Sequence, residues 1–161
     1  PDAPATIFEG EAEIALVIGK RASNVPAAEA MQYIFGYMNF IDGSARGLPP
    51  AGNTFYQMKS RETFAPMGPY LVTADEIPHP DQMDFSLHVN GELRQKANTR
   101  DLILDIPHLI EFASSFYSLR TGDLLYTGTP EGVAQVHPGD VITTSFAGIG
   151  DMTVVVRSAK A

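Results

Sequence analysis

Residues 9–20 read EGEAEIALVIGK, and the period of this stretch decides the fold class. Successive side chains in a strand point to opposite faces, so Ala12, Ile14, Leu16 and Ile18 share one face while Glu9, Glu11, Glu13, Ala15 and Val17 share the other. The pattern predicts a strand from Glu9 to Lys20 that runs from solvent into a core. Working outward, Asn24 and Pro26 predict a short helix through Gln32 by a cap-then-proline signal. The segment Tyr33–Ile41, YIFGYMNFI, is aromatic and β-rich and predicts a buried strand. Residues 43–58, GSARGLPPAGNTFYQM, predict a long loop, a feature that compact domains usually keep for function.

Further along, Tyr70–Thr73 and Met83–Val89 predict strands. Asn90-Gly91 predicts a type I′ hairpin turn into Glu92–Ala97. Asp105 and Pro107 open a second helix, whose apolar stripe is Ile106, Leu109, Ile110, Ala113 and Phe116. Asp123–Thr127, Asp140–Phe146 and Met152–Arg157 predict three closing strands. The expected fold class is mainly β with two short helices, arranged as one domain over residues 1–161.

Composition narrows the function classes. The chain has 161 residues, 44% hydrophobic and 19% charged, as a packed globular domain has. Lys plus Arg number 11 against 19 Asp plus Glu, a net charge of −8, which argues against a nucleic-acid partner and its basic face. No apolar run approaches the roughly 18 residues that a membrane helix needs. With no cysteine there is neither a disulfide framework nor a thiolate ligand or nucleophile, and a cytoplasmic location is expected. The sequence starts at Pro1 without a charged or apolar leader, so it reads as a fragment of a longer chain.

Glu9, Glu11 and Glu13 lie on one strand face, roughly 7 Å apart from one to the next. The pattern admits a solvated strand end. It also admits a site for a hard cation, because neighbouring carboxylates repel unless positive charge lies between them. Asp42 closes the aromatic segment before Gly43-Ser44 and by itself reads as a turn residue, which Asp favours. Lys59 follows the long loop and by itself reads as a surface lysine. Thr127-Gly128-Thr129-Pro130 is a turn whose N–H groups could cradle an anion. The four histidines, His79, His88, His108 and His137, are too scattered for a zinc cluster.

In order along the chain, EAEIALVIGK, YIFGYMNFIDGSAR, KSRETFAPMGPYLVTADEI, VNGELRQKANTRDLI, GDLLYTGTPEGV and PGDVI closely resemble the catalytic domain of the fumarylacetoacetate hydrolase family, from about Phe8 to Val156. The resemblance implies a mixed β-sandwich roll that forms a homodimer. It implies Mg²⁺ or Mn²⁺, with Ca²⁺ as a third candidate, held by Glu11, Glu13 and Asp42. Lys59 falls on the family's active-site lysine, and Thr129, Gly128 and Arg46 fall on substrate-binding positions. The implied substrates are small 2-oxo or 2,4-dioxo acids, which offer a carboxylate oxygen and the adjacent 2-oxo oxygen to one cation as a five-membered chelate. The implied chemistry passes through a metal-bound enolate, with Lys59 beside the 2-oxygen and the Thr127–Thr129 turn on the carboxylate. Three outcomes share that enolate: hydrolysis of an acylpyruvate, decarboxylation, and isomerisation of a hydroxymuconate-like dicarboxylate in aromatic catabolism. A metal-binding family member that folds and dimerises without turnover is the alternative.

Some positions depart from the family pattern. Gly47 replaces the usual Asp after Ser-Ala-Arg, Gly43 stands where a bulkier residue is common, and Leu48–Asn53 replaces a Gln- and Tyr-bearing segment. The family's hydrolytic base is a histidine upstream of the Glu-x-Glu strand, and no histidine precedes His79 in this sequence.

Overall fold

A computed structural model describes residues 5–49 and 55–158. The described strands are β1 (Ile7–Ile18), β2 (Ile34–Arg46), β3 (Met67–Thr73), β4 (Asp84–Val89), β5 (Glu92–Asn98), β6 (Leu124–Tyr126), β7 (Ala134–Gln135), β8 (Val141–Phe146) and β9 (Gly150–Val155). The α-helices are α1 (Ala27–Ala30), α2 (Phe55–Lys59) and α3 (Ile106–Phe116). One sheet has the order β3-β2-β1-β6, with β7 also on β1, and the other has the order β5-β4-β8-β9. A single apolar cluster joins them, with Ile14, Leu16, Tyr37 and Ile41 from the first sheet and Phe85, Leu87, Ile142 and Phe146 from the second. Ile106 and Ile110 of α3 seal its end. The expected β-rich sandwich is the fold of the chain.

The strand β1 is central, and both of its faces are buried from Gly10 to Ile18. It pairs antiparallel with β2 in a register that sets Glu11 opposite Asp42 and Glu9 opposite Ser44. On its other edge it pairs with β7 at Glu9–Gly10 and with β6 at Ala15–Val17. The edge of β1 from Glu11 to Ile14 therefore faces a gap between β7 and β6, and the functional residues gather around it.

Local signals explain several elements. Asn90 (φ 52°) and Gly91 (φ 81°) supply the two positive φ angles that a type I′ turn requires. The Asp105 carboxylate caps α3 by accepting from His108 N–H at 2.9 Å. Other expectations need correction. The described residues form three α-helices, not two, because α2 forms inside the segment read as a loop. That segment begins in β2, which continues through Arg46 because β1 supplies pairing partners for residues 43–46. Asp42 thus lies inside a strand and not at its end. Residues 50–54 of the expected loop lie outside the described residues. Asn24 caps nothing: Pro26 holds the α1 N-cap position without a side-chain bond, and the Val25 N–H is taken by Ser114 Oγ. Phe116, placed on the inward stripe of α3, is 70% exposed.

Candidate metal centre

The cross-strand register does most of the assembly. Glu11 and Glu13 project from one face of β1, and Asp42 from the paired position on β2. One carboxylate oxygen from each of the three lies within 4.8 Å of the others. Glu11 and Glu13 are buried and Asp42 is half-buried. Lys59, the last residue of α2, donates from Nζ to Glu11 Oε2 at 2.7 Å and to Asp42 Oδ2 at 2.6 Å. Arg46, at the end of β2, donates from Nη2 to Glu11 Oε1 at 2.6 Å and from Nε to Glu9 Oε2 at 3.0 Å. Glu9 therefore touches the cluster only through Arg46.

The turn after β6 closes the other side. Gly128 N–H donates to Glu13 Oε2 at 2.8 Å, and Thr129 Oγ1 donates to the Ala12 carbonyl at 2.9 Å. Tyr126 stacks on Phe40, the residue opposite Glu13, with ring centroids 3.9 Å apart, and this pair gives the site an apolar wall.

Electrostatics follow from this packing. Burial pushes the Glu13 carboxyl up to about 7 against the pull of the Gly128 N–H, and the Asp42 and Glu11 charges push it further. Asp42 is also raised, by burial, although the Lys59 ammonium opposes the change. Burial alone would lower Lys59, but its bonds to Asp42 and Glu11 outweigh burial and raise it. Burial and the Asp42 and Glu13 charges raise Tyr126. Glu9, Glu11, Glu13 and Asp42 against Arg46 and Lys59 leave two negative charges when all six groups are ionised. An all-oxygen donor set with that deficit fits one hard divalent cation.

The residues nominated from sequence, Glu11, Glu13, Asp42, Arg46, Lys59, Gly128 and Thr129, thus come together at one site. Among the described residues no histidine joins the carboxylate cluster; His108 lies against Asp105 and His137 against Asp140. Sequence reasoning passed over Gln95, which is 1% exposed and accepts from Ala12 N–H at 3.0 Å while donating to Thr129 Oγ1 and Pro130 O, both at 2.9 Å. A signal was there to read. In ELRQKAN the charged Glu92, Arg94 and Lys96 alternate with Leu93, Gln95 and Ala97, so the amide shares the apolar face.

A paired-strand carboxylate cluster on a two-sheet β-roll, with a lysine and a glycine-containing turn upon it, is an all-oxygen arrangement of the kind that suits a divalent cation. The chain belongs to the fumarylacetoacetate hydrolase family: the family model described as fumarylacetoacetate (FAA) hydrolase C-terminal matches residues 2–157. It is 49% identical over 148 residues to the maleylpyruvate hydrolase of Aquipseudomonas alcaligenes, covering 92% of this chain and 50% of that protein. It is 41% identical to the 4-hydroxyphenylacetate degradation bifunctional isomerase/decarboxylase of Salmonella dublin, covering 87% of this chain and 33% of that protein. A maleylpyruvate hydrolase structure from Sphingobium sp. SYK-6, in complex with manganese(II) and pyruvate, superposes with a TM-score of 0.87 at 40% identity, covering 96% of this chain and 56% of that one. The chain thus spans about half the length of the maleylpyruvate hydrolases and a third of the isomerase/decarboxylase.

Proposed function

We propose that the chain forms the catalytic half of a divalent-cation-dependent enzyme for small 2-oxo and 2,4-dioxo acids, with C–C hydrolysis of an acylpyruvate as its reaction. The observation that carries the reading is the buried convergence of Glu11, Glu13 and Asp42, braced by Lys59 and Gly128. The 49% identity to a maleylpyruvate hydrolase supports hydrolysis. Glu11, Glu13 and Asp42 would hold the cation, Mn²⁺ or Mg²⁺. When bound, it supplies Lewis-acid stabilisation of negative charge on a substrate oxygen.

The chain's own groups bind, orient and neutralise charge. Lys59 has a raised pKa and stays an ammonium at neutral pH, so it acts as a preorganised positive charge for a developing enolate and not as a base. Arg46 neutralises Glu9 and Glu11 and fixes their rotamers. The turn Thr127–Thr129 would take the carboxylate end of the substrate through its remaining N–H groups, because the Gly128 N–H and both threonine hydroxyls are donated to Glu13, Ile14 and Ala12. Gly128 holds Glu13 in place from the same turn, which couples ligand geometry to substrate docking. The Phe40–Tyr126 stack limits water at that edge.

Isomerisation or decarboxylation is the second reading. It is supported by the 41% identity to a bifunctional isomerase/decarboxylase, and neither outcome needs an activated water. The test is product analysis by NMR with the full chain, stripped with chelator and reloaded with Mn²⁺ or Mg²⁺, on acylpyruvates and hydroxymuconate-type dicarboxylates. Metal-dependent release of pyruvate supports hydrolysis. Isomer or CO₂ without cleavage moves the assignment to the second reading, and tight Mn²⁺ binding without turnover leaves a metal-binding domain that does no chemistry.

A further inference from the structure

Among the described residues, no strand pairs with the outer edge of β1 where it carries Glu11 and Glu13. Its neighbours β7 and β6 pair only with Glu9–Gly10 and Ala15–Val17. Backbone groups left in such a gap must find other partners or cost stability. Side chains fill it here. Ala12, between the two glutamates, gives its N–H to Gln95 Oε1 at 3.0 Å and receives Thr129 Oγ1 on its carbonyl at 2.9 Å. Thr127 Oγ1 donates to the Ile14 carbonyl at 3.2 Å.

Gln95 then closes a ring. Its Nε2 donates to Thr129 Oγ1 and to Pro130 O, both at 2.9 Å. The hydroxyl proton of Thr129 is committed to Ala12 O, so its oxygen must accept from Gln95. Ala12 N–H requires an acceptor and Pro130 O a donor, so only one orientation of the carboxamide satisfies all three neighbours. The group is 1% exposed, and both amide protons are used. It comes from β5, in the opposite sheet, so the ring ties the second sheet to the turn and to the ligand strand together.

We propose that Gln95 is a positioning residue, whose buried carboxamide fixes the Thr127–Pro130 turn against the Glu11–Glu13 segment so that substrate turn and metal ligands keep one geometry. This rests on the metal-centre reading above. Gln95→Met keeps the bulk and removes every bond. It is expected to weaken Mn²⁺ binding by about 10–100-fold, as loss of a group behind a ligand does, and to lower kcat/KM by a similar factor. Thr129→Val opens the same ring, so the double variant should lose no more kcat/KM than the worse single variant.

A folded Gln95→Met protein with Mn²⁺ affinity and kcat/KM within a few-fold of wild type would overturn the proposal. So would fully additive losses, which would mean that Gln95 and Thr129 act independently. If Gln95→Met does not fold, Gln95→Glu retains an acceptor for Ala12 N–H and loses a donor to the turn. It should keep Mn²⁺ affinity within a few-fold while kcat/KM falls at least tenfold, and no change in either overturns the idea. A wild-type chain that neither binds Mn²⁺ nor turns over any 2-oxo acid removes the metal-centre reading itself. Amide hydrogen exchange then decides the Gln95 inference: faster exchange at Ala12 and Gly128 in the folded variant upholds it, and unchanged protection overturns it.

Discussion

Glu11 and Glu13 stand two residues apart on one buried face, yet their surroundings differ. Glu11 accepts from Arg46 and Lys59, whereas Glu13 accepts from a neutral backbone N–H. The Glu13 carboxyl is consequently raised from 4.5 to about 7, chiefly by burial. An unfolded chain releases that proton near 4.5 and the folded chain keeps it to about 7, so between these values the folded state binds more protons. Stability then falls as pH rises through that window. In the presence of chelator, the Tm of wild type should drop by several degrees between pH 4.5 and 7 relative to that of Glu13→Gln. Parallel curves would show that Glu13 ionises normally. Mn²⁺ should reverse the loss at pH 7, because binding requires the carboxylate. Glu9 provides the contrast on the same strand face, since it reaches the cluster only through Arg46. Calorimetry with Mn²⁺ should find Glu9→Gln within a few-fold of wild type, and Glu11→Gln and Asp42→Ala weaker by orders of magnitude. Equal losses in all three would place Glu9 among the ligands.

Among the elements, β2 matters most, because its extension past Asp42 sets the cross-strand register of the cluster. Gly43 makes that extension possible. Its N–H donates to the Phe64 carbonyl at 2.7 Å, and a Cβ there would come within 2.8 Å of the same oxygen. Gly43→Ala should push the segment after α2 away, lowering Tm by several degrees, about 1–3 kcal/mol for an overpacked site. It should also loosen Lys59 from Asp42, so that kcat falls while the far-UV spectrum is retained; an unchanged Tm would mean that residues 61–64 yield freely. The same strand shows why part of the fold could not be read in advance. The alternation in β1, the Asn90-Gly91 turn and the Asp105 cap are local signals, and all appear in the structure. Gly43-Ser44 is a turn-former by composition, and only pairing with β1 makes it a strand. The two-residue β7 and the short α2 likewise depend on contacts distant in sequence. At the site, the shared face of Glu11 and Glu13 and the T-G-T turn were legible. The bond between Gly128 and Glu13 was not, because it spans 115 residues.

At the scale of the whole molecule, the described residues leave a flank of the first sheet exposed. β3 is the edge strand, and Tyr70 (65%) and Leu71 (43%) on it are exposed, as is Phe35 (50%) on neighbouring β2. Apolar groups gathered on adjacent strands mark an association surface more often than scattered ones do. Pro69 lies within β3 and cannot donate a ladder bond, which disfavours extension of the sheet strand by strand. Association should therefore pack side chains face to face. If the homodimer that the family resemblance implies forms through this flank, it should bury about 800 Å² per partner, the usual requirement. Light scattering on the eluted full chain should give twice the monomer mass. Leu71→Arg combined with Tyr70→Glu should give the monomer mass, because charge placed at the centre of an apolar contact cannot be solvated there. The carboxylate cluster is built from β1, β2, α2 and the turn after β6, not from the exposed side chains of β3, so Mn²⁺ affinity should survive the double substitution. A wild-type monomer would remove the dimer. A double variant that stays dimeric would move the interface elsewhere, with the exposed Phe112, Phe116 and Tyr117 at the end of α3 as the next surface to charge.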